Sequence, residues 1–200
     1  IVQYFLSAWR WYFIAHNTDT KIVYIDAIKY YYISGFLNNI LPTGIMGDIY
    51  RTMNIKINNQ PTTNFIKSFQ SVIFERLSGQ ITLVITFIVS LGIFFLVNQK
   101  YEAFGYVLLL ITISMLMIKL FFISNQQNKY IINFKQIFSG RCFYKHFFLS
   151  LIIVLTYITT YIICAFSLDL DIDIISFFVF APIILFSMTL PVSIGGWGIR

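Results

Sequence analysis

Two arginines close two near-identical broken segments, Leu41-Pro42-Thr43-Gly44-Ile45-Met46-Gly47-Asp48-Ile49-Tyr50-Arg51 and Leu190-Pro191-Val192-Ser193-Ile194-Gly195-Gly196-Trp197-Gly198-Ile199-Arg200. Both read L-P-x-x-I-x-G-x-x-x-R, with five identical positions in eleven. In the first copy Pro42 ends a helical run, Gly44 and Gly47 permit close backbone approach, and a helix restarting near Asp48 offers free N–H groups at the positive end of its dipole. Arg51 adds a planar fork able to hold a phosphodiester through two parallel hydrogen bonds. The chemistry this predicts is capture of an anionic headgroup at membrane depth, with Arg51, Arg200, Gly44, Gly47, Gly195 and Gly196 as lipid-phosphate contacts. The bland alternative is an interfacial loop whose arginine reaches to water. Recurrence weighs against it, because internal repeats in transporters gather broken segments around one central site. No wider duplication links the motifs, so chance or shared loop mechanics stays open.

The neighbouring charges follow the same logic. Asp48 is spaced to cap the restarting helix or to pair with Arg51 at i,i+3. Trp197 stands at the matching place in the second copy, so Arg200 needs another acidic partner. Glu75 and Arg76 are adjacent, and adjacent helical residues point about 100° apart, so each needs a partner elsewhere. Glu75 with Arg51, and Arg76 with Asp48 or a lipid phosphate, would form a cytoplasmic-side charge network. The alternative leaves both at the water boundary. Ser78 and Gly79 read as helix-packing residues.

Nothing points to catalysis. His16 and His146 fall in separate loops without metal-ligand spacing and receive no role. Cys142 and Cys164 lack the pattern of a disulfide framework or metal site. Asp169, Asp171 and Asp173 lack the Gly and Glu of a calcium loop, and no Walker loop, nucleophile elbow or dinucleotide fingerprint occurs. No catalytic residue, metal or cofactor is expected.

These residues must be carried by membrane-spanning helices. The chain is 58% hydrophobic and 11% charged, with a mean hydropathy of +0.77, too apolar for a soluble domain. The net charge of +6 fits loops facing anionic lipid rather than a nucleic-acid surface. Uncharged stretches predict four spans, Leu77–Val97, Ala103–Ile118, Phe147–Leu168 and Ile174–Ile199, the last divided by Pro182, Pro191 and Gly195-Gly196. The basic loop Ser124–His146 belongs in the cytoplasm and the acidic turn around Asp171 outside, which puts Arg51 and Arg200 inside. Arg10, in the interfacial cluster Trp9-Arg10-Trp11, belongs inside by the same rule. The run from Tyr30 to Gly47 must then enter and turn back, with Asn38, Asn39, Pro42 and, in the second copy, Pro191 supporting re-entrant backbone. A single crossing with Arg10 outside is the competing reading. Residues 127–138 suit either an interfacial helix or a solvated connector. The expected architecture is all-α: one polytopic integral membrane bundle over residues 1–200, with broken or re-entrant segments. Because the chain opens inside an apolar run and stops directly after a motif, it reads as a fragment with flanking helices missing at both ends.

The order of these motifs resembles one family. Arg10-Trp11, the stretch Tyr32 to Arg51, Glu75-Arg76-Leu77-Ser78-Gly79 and Leu190 to Arg200 are similar to the transmembrane region of lysylphosphatidylglycerol synthases and related flippase-like membrane proteins of bacteria and archaea. Met46 departs from a glycine often found there, and Glu75 replaces a common aspartate. The resemblance implies a multi-pass protein of the bacterial cytoplasmic membrane that binds and moves anionic or aminoacylated phospholipids between leaflets. Some relatives carry an aminoacyl-transferase domain and others accompany glycosyltransferases acting on polyprenyl-phosphate carriers. A lipid-modifying transferase is therefore an implied partner, and an enzyme or enzyme subunit acting on such lipids is the alternative function.

Overall fold

The computed structural model describes residues 2–18, 20, 22–41, 45–58, 65–100, 102, 104–109, 112, 138, 140–170 and 173–189. Its principal helices are α1 (Val2–Asn17), α2 (Tyr24–Ile40), α3 (Met46–Asn58), α4 (Phe65–Val97), α5 (Gly140–Ser167) and α6 (Ile174–Thr189). Residues 104–109 are also helical, and no strand occurs among the described residues. The chain folds as an all-α membrane bundle, as its composition requires.

Apolar runs generate the long helices. α4, with 33 residues, extends about 50 Å at 1.5 Å per residue, well beyond a hydrocarbon core of about 30 Å. Both α4 and the Cys142–Ser167 part of α5 are long and apolar enough to cross a membrane. The sequence places the start of the first span at Leu77, whereas α4 begins at Phe65. The extra turns carry Lys67, Gln70, Glu75 and Arg76, polar residues with good helix propensity that hydropathy alone discards. α6 has 16 residues and holds Pro182 inside it. The predicted span 103–118 lies mostly outside the described residues, as do 190–199 of the last span and nearly all of the segment 127–138.

Side-chain contacts set the helix directions. α1 runs antiparallel to α5, matching Asn17 with Cys142, Arg10 with Ser150 and Gln3 with Thr160. α2 and α3 form an antiparallel hairpin. Gly47 N–H donates to Asn38 Oδ1 at 2.8 Å near its tip, and the Tyr30 and Tyr50 rings meet edge to face further down. Ile55 then joins Ala27, Ile22, Trp11 and Val72 in one buried core. A second core joins α4, α5 and α6 through Leu83, Val154, Ile158, Ala181 and Leu185. Along α4, Glu75 and Arg76 fall between Val72 of the first core and Leu83 of the second.

This arrangement lays the two sides of residues 30–47 against each other. From Glu75 to Val97 the rise along α4 is about 33 Å, comparable to one hydrocarbon thickness. Tyr31 is level with it, its hydroxyl donating to Glu75 Oε1 at 3.3 Å. α2 continues to Ile40, about 13 Å further into the layer, with Phe36 and Ile40 exposed. α3 then brings the chain back to the starting side. α3 thus lies back along α2, the course that the re-entrant reading expects.

Candidate functional site: a buried chain of alternating charge

The re-entrant hairpin works because its two helices pack closely at the tip. A Cβ on Gly47 would overlap the Ser34 carbonyl oxygen and come within 2.8 Å of Asn38 Oδ1. Glycine removes that obstacle, and the Asn38 amide takes the Gly47 N–H that the first turn of α3 leaves without an intrahelical acceptor. Asn39 plays a more local part, donating to the Gly35 carbonyl at 2.8 Å. Docked in this way, α3 aims Asp48 and Arg51 at α4.

Arg51 is 3% exposed. Its Nη2 lies 2.5 Å from Asp48 Oδ1 and its Nη1 3.3 Å from Glu75 Oε2. Its guanidinium carbon sits 4.9 Å from the Trp11 ring centroid and 4.7 Å from that of Tyr31, so two aromatic rings add cation–π attraction in a desolvated setting. Glu75, 1% exposed, takes Arg10 Nη2 on its other oxygen, Oε1. Arg76 Nη2 pairs with Asp48 Oδ2 at 2.6 Å, and its side chain is 33% exposed.

The five residues form one chain in space, Arg10–Glu75–Arg51–Asp48–Arg76, alternating in sign from end to end. Each carboxylate bridges two guanidinium groups. Buried charges persist only when fully paired, and bridging lets two carboxylates serve three arginines. The formal charges of these five residues sum to +1, and the Arg76 side chain is one-third exposed. Glu75 and Arg76, though adjacent, point to different partners, as helix geometry requires. The Nε atoms of Arg10 and Arg51 are buried without a hydrogen-bond partner.

Arg10 is the member that sequence reasoning missed. Read there as an interfacial topology residue, it is 6% exposed, and Gly79 leaves room for its fork, with a Cβ there falling 3.1 Å from Arg10 Nη1. A cation within an apolar helix is itself a signal of function, and that signal was available in Trp9-Arg10-Trp11. Ser78 and His146 also change standing. Ser78 does more than pack, since its Oγ lies 2.8 Å from His146 Nδ1 and 3.1 Å from Ser150 Oγ. His146 is 1% exposed, lying on α5 rather than in a loop. Arg51, expected to meet lipid directly, is enclosed, and the more accessible arginine of the five charged residues is Arg76. Pro42, Gly44, Pro191, Gly195, Gly196 and Arg200 lie outside the described residues.

An apolar helical bundle with a helical hairpin packed over a buried charge chain defines an all-α membrane protein. The chain matches the family described as lysylphosphatidylglycerol synthase TM region over residues 1–200, and it belongs to that family. Membership makes it a membrane protein connected with lipid synthesis or flipping. Comparison with curated proteins and with solved structures finds no match.

Proposed function

We propose that this domain binds and translocates anionic or aminoacylated phospholipids between leaflets, and that the alternating charge chain is its headgroup site. The observation supporting this reading is the buried chain of alternating charge with Arg76, one-third exposed, beside Asp48. A lipid phosphate joining Arg76 would extend the alternation by one negative group. Asp48 would keep Arg51 as its second partner, so no buried charge would be stranded. Arg51 then acts behind the contact, fixing Asp48, and Gly47 serves by letting α3 dock; Arg200, Gly44, Gly195 and Gly196 are proposed as further phosphate contacts on the sequence pattern alone. Glu75 and Arg10 anchor the inner end.

Exposed apolar side chains on α2, among them Ile33, Phe36 and Ile40, give acyl chains a lipid-facing surface beside the hairpin. The setting is the cytoplasmic membrane of a bacterium, and a lipid-modifying transferase is the partner that would supply an aminoacylated substrate. Translocation needs a polar path with sites weak enough to release their cargo, not a catalytic group.

The test is reconstitution of the full-length protein in liposomes, timing the transbilayer movement of labelled phosphatidylglycerol and its lysyl derivative. Movement that Arg76→Gln and Arg200→Gln both slow at least tenfold supports the reading. Folded protein that moves neither lipid overturns it and favours an enzyme role on lipid-linked phosphates.

A further inference from the structure

Away from the charge chain, α4, α5 and α6 enclose a cavity of about 450 Å³ whose walls include Val89, Ile93, Phe147 and Phe178, with Thr86 and Ser90 as its polar residues. Thr86 and Ser90 lie about 16 and 22 Å past Glu75 along α4, so this cavity is separate from the site proposed for headgroups. Its origin can be traced to α6, which runs antiparallel to α4. Leu185 and Ala181 share a core with Leu83, whereas Phe178 and Ile175 face the cavity beside Val89 and Ile93. Pro182 lies inside α6, at the cavity end of that core. A helix-interior proline offers no N–H to the carbonyl four residues back, here that of Phe178, and its ring crowds the same turn. The turn loosened in this way is the one that carries Phe178 onto the cavity wall.

Two hydroxyls would make the cavity polar if their hydrogens were free. They are engaged: Thr86 Oγ1 donates to the Thr82 carbonyl at 2.9 Å, and Ser90 Oγ donates to the Thr86 carbonyl at 2.6 Å. Each hydroxyl has one hydrogen, so neither side chain has a donor left for a guest. No charged residue lines the cavity. A phosphate finds nothing to hold it there, and an apolar cavity of about 150 Å³ already stays dry and takes an apolar guest.

We propose that this cavity binds the hydrocarbon chain of a membrane lipid as a fixed guest. The rim selects the source. Val89 and Ile93 are exposed, as are Val84 and Leu96 on the same helix, and that helix is long and apolar enough to cross a membrane. The mouth of the cavity is therefore continuous with the surface that meets lipid. Size excludes a further helix, from this chain or from a second copy: one helical turn, 10 Å across with its side chains and 5.4 Å high, fills about 400 Å³, nearly the whole cavity. A flexible chain fits where a helix does not, and it recovers the dispersion contacts that the three walls would otherwise lack. The site reads hydrocarbon and not headgroup, and it holds whether or not the protein moves lipid between leaflets.

The test maps where a lipid chain rests. Full-length protein is reconstituted in liposomes containing phosphatidylglycerol or phosphatidylcholine with a photoactivatable diazirine on one acyl chain, irradiated, and its adducts are located by peptide mass spectrometry. Phe147, Ser90 and Phe178 are expected to carry adducts that saturate as the labelled fraction of lipid rises, equally for both headgroups. Ile163 and Phe166, exposed on α5, should carry adducts that rise in proportion to that fraction, as for lipid exchanging over a surface. Ser90→Phe fills the cavity and should abolish the saturable adducts while leaving those at Ile163 and Phe166; the wild-type map stands by itself if that variant does not fold. Cavity residues that stay unlabelled, that label in proportion like the surface, or that label with one headgroup only would overturn the proposal, as would saturable labelling that survives in folded Ser90→Phe.

Discussion

Arg10 and Glu75, 65 residues apart in sequence, form a buried ion pair that joins α1 to α4. Glu75 also holds Arg51, so its loss strands two buried cations at once. Removing one partner of a buried pair costs about 3 to 5 kcal/mol. Glu75→Met is expected to lower stability by at least that much, measured by thermal unfolding in a fixed detergent. Arg10→Met combined with Glu75→Met should be less damaging than Glu75→Met alone, since Arg51 keeps Asp48 and no unpaired Arg10 remains. A double variant no better than the single would show that Arg10 is not held by Glu75.

Three helical glycines make a graded prediction about close packing. At Gly47 a Cβ meets backbone, the Ser34 carbonyl, which cannot yield without splaying the hairpin. Gly47→Ala should therefore destabilise by about 1 to 3 kcal/mol, the usual penalty of overpacking. At Gly79 the neighbour is the guanidinium of Arg10 at 3.1 Å, the far end of a flexible side chain, so Gly79→Ala should cost less and act through the Arg10–Glu75 pair. Gly105 has nothing within 4 Å, and alanine there should stabilise by about 0.5 to 1 kcal/mol through helix propensity. Thermal unfolding should rank Gly47→Ala below Gly79→Ala and Gly79→Ala below Gly105→Ala; any other order contradicts this account of the packing.

The separate helices were largely legible in the sequence, because apolar runs and breaks by Pro and Gly act locally. The apolar stretches of α4 and α5 lie within the predicted spans, and Asn38 supports the hairpin tip because a backbone N–H at the start of α3 needs an acceptor. The pairings of Arg51 with Glu75 and Arg76 with Asp48 followed from helix angles and the demand that buried charges find partners. Arg10 and His146 were harder, since their meaning depends on α1 and α5 lying side by side across the bundle. Helix adjacency is a tertiary fact with no local period. The turns of α4 before Leu77 were missed for another reason: hydropathy sees a membrane boundary where the helix itself continues.

Arg76 and Arg51 should separate binding from folding. Arg76 is one-third exposed, so Arg76→Gln gives up a solvent-screened pair worth about 1 kcal/mol or less, and Asp48 retains Arg51. The variant is expected to fold and melt within a few degrees of wild type while losing lipid affinity in a vesicle or nanodisc binding assay. Arg51→Gln leaves Glu75 and Asp48 short of a buried partner and should instead lower stability by about 3 kcal/mol or more. If Arg76→Gln binds anionic lipid as wild type does, the outer end of the chain is not the headgroup contact.

The re-entrant hairpin predicts which residues share a side of the membrane. Val23 precedes α2 and Met53 lies near the end of α3; both are exposed, and the antiparallel pairing of the two helices keeps them on one face. Leu168, past the end of α5 and also exposed, is expected on the other side, since α5 is long and apolar enough to cross. In a cysteine-free background, Val23→Cys and Met53→Cys should react with a membrane-impermeant maleimide from the same side, and Leu168→Cys from the opposite one. Had the chain crossed once between Tyr30 and Gly47, Val23→Cys and Met53→Cys would label from opposite sides. The charge chain would then lose its place along the hairpin, since the contacts of Arg51 with Tyr31 and Glu75 require α3 to return along α2.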